Sequence, residues 1–361
     1  MTNMPSPVLT SARGAGAHID IYGNWQLPAG FGNPIPEYES VHQTSAVHDS
    51  SYLGRIKATG VDVLDLVNRL STNKVDNLAP GSGAPTILTN DKGRILDLIY
   101  LFNLGSYILI LTSPNREQAV IDWLDKFTFV EDISTENITA RTAMVTLAGP
   151  NSPHILQNIF PEIGTTPLPL TSMEVATNHI GATVLALEMI GTTGFHIITP
   201  FEDAESIWNS ATNHGSIPVG EDVWQILRVE SGVPIYGKEL GESFNPLETG
   251  LIGGVDFAKG CYIGQEVIAR LDTYDKVQRS LTRLFLDTEQ PVEEGLKLVS
   301  DGREVGLLTS LARIPTTGKL LGLGYVRRVI AEPGQRLCLA GNDSPCVEIL
   351  DIPLLLGEER I

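Results

Sequence analysis

The sequence predicts an α+β chain that gives way, near residue 280, to a small all-β module. Three observations predict it. Apolar residues at helical spacing alternate with short β-branched runs up to residue 279. Beyond that point short strand-like runs recur at regular spacing. The length of 361 residues also exceeds what one small core accommodates, so two or three domains are expected.

Taken in order, residues 1–17 are small, polar and rich in Pro and Gly, which is the composition of a disordered tail. GRIKATG alternates as a strand closed by glycine. VDVLDLVNRLST then sets Val61, Leu64, Leu66, Val67 and Leu70 on a helical stripe, with Gly60, Val61 and Asp62 at its start. APTILTNDKGRILDLIYLFNLGSYILILTS contains three strand-like runs broken by NDKG and NLGS, two turn sequences, and reads as an antiparallel meander. SPNREQAVIDWLDKFTF opens with a serine cap and a proline at the first helical position. ARTAMVTLAGP and ATVLALEMIGTTGFHIITP are strand-like, and FEDAESIWNSATNHG and GEDVWQILRVESG are helices closed by glycine. SLTRLFLD, KLVSDGREVGLLTSLAR, LLGLGYVRR and RLCLA to PCVEILDI complete a small barrel or sandwich. The expected division is a tail over 1–17, an α+β region over 18–279 and a β domain over 280–361.

Twenty-five basic residues face 43 acidic ones, a net charge of −18. Such a field repels phosphate backbones and anionic membranes, so broad nucleic-acid or membrane binding is not expected. The three cysteines form no CxxC, and His42 and His48 form no HxxxH, so neither a disulfide framework nor a metal is expected. No secretory signal or membrane span is read from the sequence, and the expected location is the cytoplasm.

The stretch KGCYIGQE, residues 259–266, carries the chemistry. Its thiolate is the reactive form of Cys261, and nearby positive charge from Lys259 or a returning Arg270 would favour it. Gly260 and Gly264 permit positive φ, Tyr262 offers a ring for one wall of a pocket, and Gln265 and Glu266 can orient a polar ligand or hold Lys259. The bland alternative is a structural turn around a small buried cysteine.

The order of YGNWQLP, AVHDSSYLGRIKATG, LTNDKGRILDLIY, LAGP, GTTGFHI, LRVESGVPIYGKEL, NPLETGL and VGLLTS to GLGYV resembles the folate-binding superfamily that holds the glycine-cleavage aminomethyltransferase, or T-protein, and the YgfZ-type proteins. KGCYIGQEVIAR, with Trp224 and LRVESGVP, is similar to the YgfZ type. The resemblance implies a T-protein-like arrangement of three compact units around a central cavity, with a small C-terminal β-barrel. It also implies tetrahydrofolate or a related folate as ligand, iron–sulfur proteins as partners, and Cys261 as the essential residue. Asp97, a candidate catalytic residue, stands where T-proteins carry adjacent carboxylates, one of which assists catalysis near the folate nitrogen, but Leu98 follows it, and a strand-edge or turn role is the alternative. Thr192 stands where they carry a pterin-binding glutamate. Arg228 is expected to face the cavity, with a surface helix charge as the alternative, and Asn90 and Lys92 to border the ligand channel, with turn formation as the alternative. The alternatives are a tetrahydrofolate-dependent aminomethyltransferase and an interaction scaffold with a vestigial pocket. Cys338 and Cys346 are expected to be packing residues of the β domain.

Overall fold

A computed structural model describes residues 3–177, 179–288, 291–341 and 346–353. Residues 1–2 of the expected tail, and 289–290, 342–345 and 354–361 of the expected β domain, lie outside the described residues. The chain divides into two compact units, Met1–Leu64 with Asn77–Ala84 and Tyr100–Gln225, and Asp65–Asp76 with Pro85–Ile99 and Ile226–Ile361. The division does not follow the expected boundary at 279, because three stretches before that residue belong with the barrel segment.

The first unit is built on a mixed sheet. Its strands run, edge to edge, Thr171–Thr177, Ile180–Met189, Thr192–Pro200, Thr142–Ala148, Ala46–Asp49 and Ile217–Pro218. Val145, Leu147, Phe195 and Ile197 are buried against helices Ser152–Ile159 and Ala204–Asn213, whose Leu156, Ile207 and Trp208 share the same core. Each such side chain contributes on the order of 2 kcal/mol through the apolar area it removes from water.

Residues 3–17 of the expected tail are ordered instead. Met4–Pro5 pairs in parallel with Trp25–Gly30, helix Leu9–Gly14 follows, and Val8 and Ala12 are fully buried. Glu205 accepts the amides of Thr10 (2.8 Å) and Ser11 (3.1 Å), and so supplies the acceptors that this first turn lacks. Composition alone could not show that two apolar residues in this stretch have a core waiting for them.

The meander forms as expected. NDKG joins Gly83–Thr89 to Ile95–Asn103, and NLGS joins the latter to its antiparallel neighbour Ile108–Thr112. The helix after GRIKATG is shorter than its stripe. It spans Val63–Leu70 and buries Val63, Leu66, Val67 and Leu70, while Val61 is 85% exposed. The next helix spans Glu117–Asp125 with Arg116 at its N-cap, so Ser113 and Pro114 precede it rather than capping it.

The second unit contains a closed barrel in the order Arg279–Leu286, Leu320–Arg327, Arg303–Arg313, Lys297–Ser300, Arg336–Leu339, Val347–Asp351. Closure removes the sheet edges that a short-stranded module would otherwise expose. Leu284, Leu298, Leu308, Leu337 and Ile349 fill it. Among the described residues no helix is long and apolar enough to cross a membrane.

Candidate functional site

The loop that carries Cys261 lies in the second unit and is shaped by residues on both sides of the cysteine. Asp256 Oδ1 accepts the amides of Ala258 (2.8 Å) and Lys259 (3.1 Å), which turns the chain. Lys259 then runs inward. Its buried ammonium donates to the main-chain oxygens of Asn68 (2.7 Å), Ser71 (2.9 Å) and Asn73 (2.6 Å), and lies 5.2 Å from the ring centre of Tyr262. Cys261 returns to the surface and is exposed. Tyr262 turns back into a core with Ile87, Ile95, Ile268 and Leu281.

The far shoulder is as firmly tied. Ile263 donates its amide to Arg69 O (3.2 Å) and accepts at its carbonyl from Thr89 Oγ1 (2.6 Å). Gly264 has φ +86° and begins helix Gln265–Thr273. A Cβ there would lie 2.5 Å from Asn90 O, so glycine is required both by the dihedral and by the close approach. Gly260 has no such role: its φ is not positive and nothing stands within 4 Å of a Cβ added to it.

Several expected ligand contacts are corrected by this geometry. Lys259 has three N–H donors, and all three are committed to carbonyls, so it offers none to a folate or to the thiol. Tyr262 is core rather than pocket wall, and burial pushes its phenol up to about 12. Asn90 builds its own turn: Oδ1 accepts from Lys92 N (3.0 Å) and Arg94 N (3.1 Å), and Nδ2 donates to Glu242 Oε2 (3.2 Å). Arg228, expected to face a cavity, is buried. It donates to Val233 O (2.9 Å), Glu239 Oε2 (3.3 Å) and Ser310 Oγ (2.9 Å). Asp97 lies on the inward face of its strand with Ile95 and Ile99, and all three are fully buried. A carboxylate in that position does not meet solvent.

Gln265, Glu266 and Arg270 remain. All lie on helix Gln265–Thr273, where Gln265 is half-buried and Glu266 and Arg270 are exposed one helical turn apart. Arg270 occupies the last turn of that helix, whereas Cys261 precedes its first. Of the expected folate contacts, then, only these three are not tied into the loops and core described above. Lys259, Asn90 and Arg228 spend their donors on the chain itself, and Tyr262 packs in the core. Among the described residues no group of three His, Cys, Asp or Glu could hold a metal ion.

The carbonyl cradle around Lys259 escapes sequence reading, because main-chain oxygens carry no side-chain signature. Glu239 and Ser310 were also missed, and their only signal is that a buried arginine needs an acceptor. In the β domain Cys346 is buried in the barrel core, as expected. Cys338 is half-buried and alternates with the inward Leu337 and Leu339. In the first unit Trp224 stacks on His48 (4.3 Å, 4° between planes), whose Nδ1 lies 3.0 Å from Val219 O.

Burial pushes Lys259 down to about 8, against the pull of Asp256 and Asp76. The unfolded lysine titrates at the ordinary 10.5, so between about 8 and 10.5 the unfolded chain holds this proton more tightly. The stability contributed at this position is therefore expected to rise with pH through that window and to be flat below about 8. Urea midpoints of the wild type and Lys259→Met, compared from pH 7 to 10, should separate further in favour of the wild type above pH 8. A constant gap would show that the ammonium is not buried.

Comparison with known proteins accords with this fold. The GCVT N-terminal domain model matches residues 9–259, and the glycine cleavage T-protein C-terminal barrel domain model matches residues 279–345. The Arabidopsis thaliana protein named "Putative transferase At1g60990, chloroplastic" is 31% identical over 329 residues, covering 90% of this chain and 74% of its own length. The crystal structure of the glycine cleavage system aminomethyltransferase T from Bartonella henselae superposes with a TM-score of 0.86 at 19% identity, covering 98% of this chain and 99% of that one. With both domain models matched in order, and the closed barrel starting where the second begins, the chain belongs to the glycine-cleavage T-protein superfamily.

Proposed function

We propose that the protein is a folate-binding member of this superfamily of the YgfZ type, which supports the assembly or repair of iron–sulfur proteins through Cys261. The observation that carries the reading is the exposed Cys261 thiol on a loop tied down on both shoulders. A thiol can act on a partner protein or a small molecule only if it reaches solvent. Leu98 beside Asp97 supports the same reading, since it leaves one carboxylate where T-proteins carry adjacent ones for work near the folate nitrogen.

A second reading, a tetrahydrofolate-dependent aminomethyltransferase, is favoured by the end-to-end match to the Bartonella henselae enzyme. One set of assays separates the two. Calorimetric titration with tetrahydrofolate is expected to give saturable one-site binding in both the wild type and Cys261→Ala. Incubation with tetrahydrofolate and an aminomethylated lipoyl carrier is expected to release no ammonia. In cells lacking the protein, the wild type should restore iron–sulfur enzyme activity and Cys261→Ala should not. Robust ammonia release that is indifferent to Cys261 would establish the transferase, and absence of tetrahydrofolate binding would defeat both readings.

A further inference from the structure

The last turn of an α-helix leaves main-chain carbonyls without intrahelical partners, and its end carries partial negative charge. In helix Val63–Leu70 these carbonyls are taken up in a specific way. Val67 O accepts from Ser71 Oγ (2.7 Å), Asn68 O from Lys259 Nζ (2.7 Å) and Arg69 O from Ile263 N (3.2 Å). Beyond the helix, Ser71 O and Asn73 O accept the other two ammonium protons. Two of these donors thus come from the Cys261 loop, and they flank the cysteine symmetrically at positions 259 and 263.

The rest of the loop adds to this hold. Thr72 O accepts from Asp256 N (3.0 Å), and Thr72 Oγ1 donates to Gly254 O (2.5 Å), so the segment after the helix also holds the start of the loop. Thr89 Oγ1 fixes Ile263 O from the strand side. Between these anchors Cys261 is the exposed crest of a short span with buried residues at 259 and 262.

We propose that Lys259 is a positioning residue for Cys261: its side chain and the Ile263 amide clamp the loop to the C-terminal end of helix Val63–Leu70, which holds the thiol in one place at the surface. The clamp depends on donors directed at carbonyls, in keeping with an ammonium that has no proton left for a ligand. A thiol held this way suits a step with geometric demands on sulfur, such as attack on or ligation by a docked partner, rather than a swinging carrier arm. The proposal deepens the reading of Cys261 as the working residue. Its test is read without folate and without any activity, so the two can fail separately.

The experiment uses the full chain with Cys338→Ser and Cys346→Ala, leaving Cys261 to take a nitroxide spin label. With Lys259 present, the label is expected to give the broad spectrum of a backbone-restrained site. In Lys259→Met the lines should narrow, and hydrogen exchange at the Ile263 amide should speed by at least tenfold, while exchange at a barrel amide such as that of Leu308, which donates to Leu296 O, speeds by much less. Lys259→Arg, which keeps a charge and several N–H donors, should recover much of the restraint. Should Lys259→Met fail to fold, Lys259→Gln replaces it, with a shorter side chain that cannot reach all three carbonyls. An unchanged spectrum and unchanged exchange in a folded Lys259 variant would overturn the proposal. So would loosening that spreads equally to the barrel, because that would mark general destabilisation rather than a local clamp.

Discussion

Replacing Arg228 with methionine is expected to lower stability by about 3–5 kcal/mol, the usual penalty for stranding one partner of a buried ion pair. The stranded partner is Glu239, whose side chain is fully buried and whose Oε2 lies 3.3 Å from Arg228 Nη1. Ser310 Oγ donates to Glu239 Oε1 (2.6 Å), Ile235 N to Oε2 (3.2 Å) and the Tyr325 hydroxyl to the Glu239 carbonyl (2.8 Å). These bonds hold the carboxylate in place but cannot neutralise it. For a unit of this size each kcal/mol is worth roughly 2–4 °C, so melting should fall by about 6–20 °C. Removing both charges, in Arg228→Met with Glu239→Gln, should recover a large part of the loss, since the unpaired charge is then gone. If Arg228 were instead a ligand contact, the single variant would melt normally and lose only folate affinity. Calorimetric melting beside a tetrahydrofolate titration distinguishes the two outcomes.

Gly264→Ala is the second large effect. The substitution forces an L-residue to hold φ +86°, and its Cβ would stand 2.5 Å from Asn90 O and 2.9 Å from Gly93 Cα. Both are main-chain atoms, so no rotamer change can relieve the contact. Strain of this kind costs on the order of 1–3 kcal/mol before any rearrangement. The cheapest relief is to move the Cys261 loop away from the NDKG turn. The expected result is a loss of about 3 kcal/mol in urea unfolding together with faster exchange at Ile263 and Gln265. Gly260→Ala is the control. Nothing stands within 4 Å of its Cβ, and it should change stability by less than about 0.5 kcal/mol.

The contrast between these two glycines shows how far the motif was legible. Both sit in KGCYIGQE and both read as turn residues, yet only Gly264 faces another stretch of main chain. That stretch is the NDKG turn, some 170 positions earlier in the chain, and nothing in either segment announces the other. Lys259 teaches the same lesson. A cation two residues before a cysteine reads as its activator, because sequence proximity is the only geometry available. In the fold its acceptors lie 186 to 191 positions away, and the side chain points to them. Arg228, expected to face a cavity, proved to be half of a buried pair for the same reason, whereas for Asn90 the structure shows the turn that was the alternative reading.

What the sequence determined by itself was periodicity and punctuation. The switch to regular short strands after 279, the meander around NDKG and NLGS, and the helical stripe ending at Leu70 are local patterns. They report which face of a segment is apolar. Cys261 could also be singled out, because its neighbours are unusual for a packing cysteine. Only the tertiary structure decided which polar groups face inward and what they hold. Burying Lys259, Arg228 or Asp97 is tolerable only where other parts of the chain supply acceptors or packing, and desolvation makes every such choice depend on distant segments. For that reason the fold could be read along the chain, whereas the support beneath Cys261 could be read only across it.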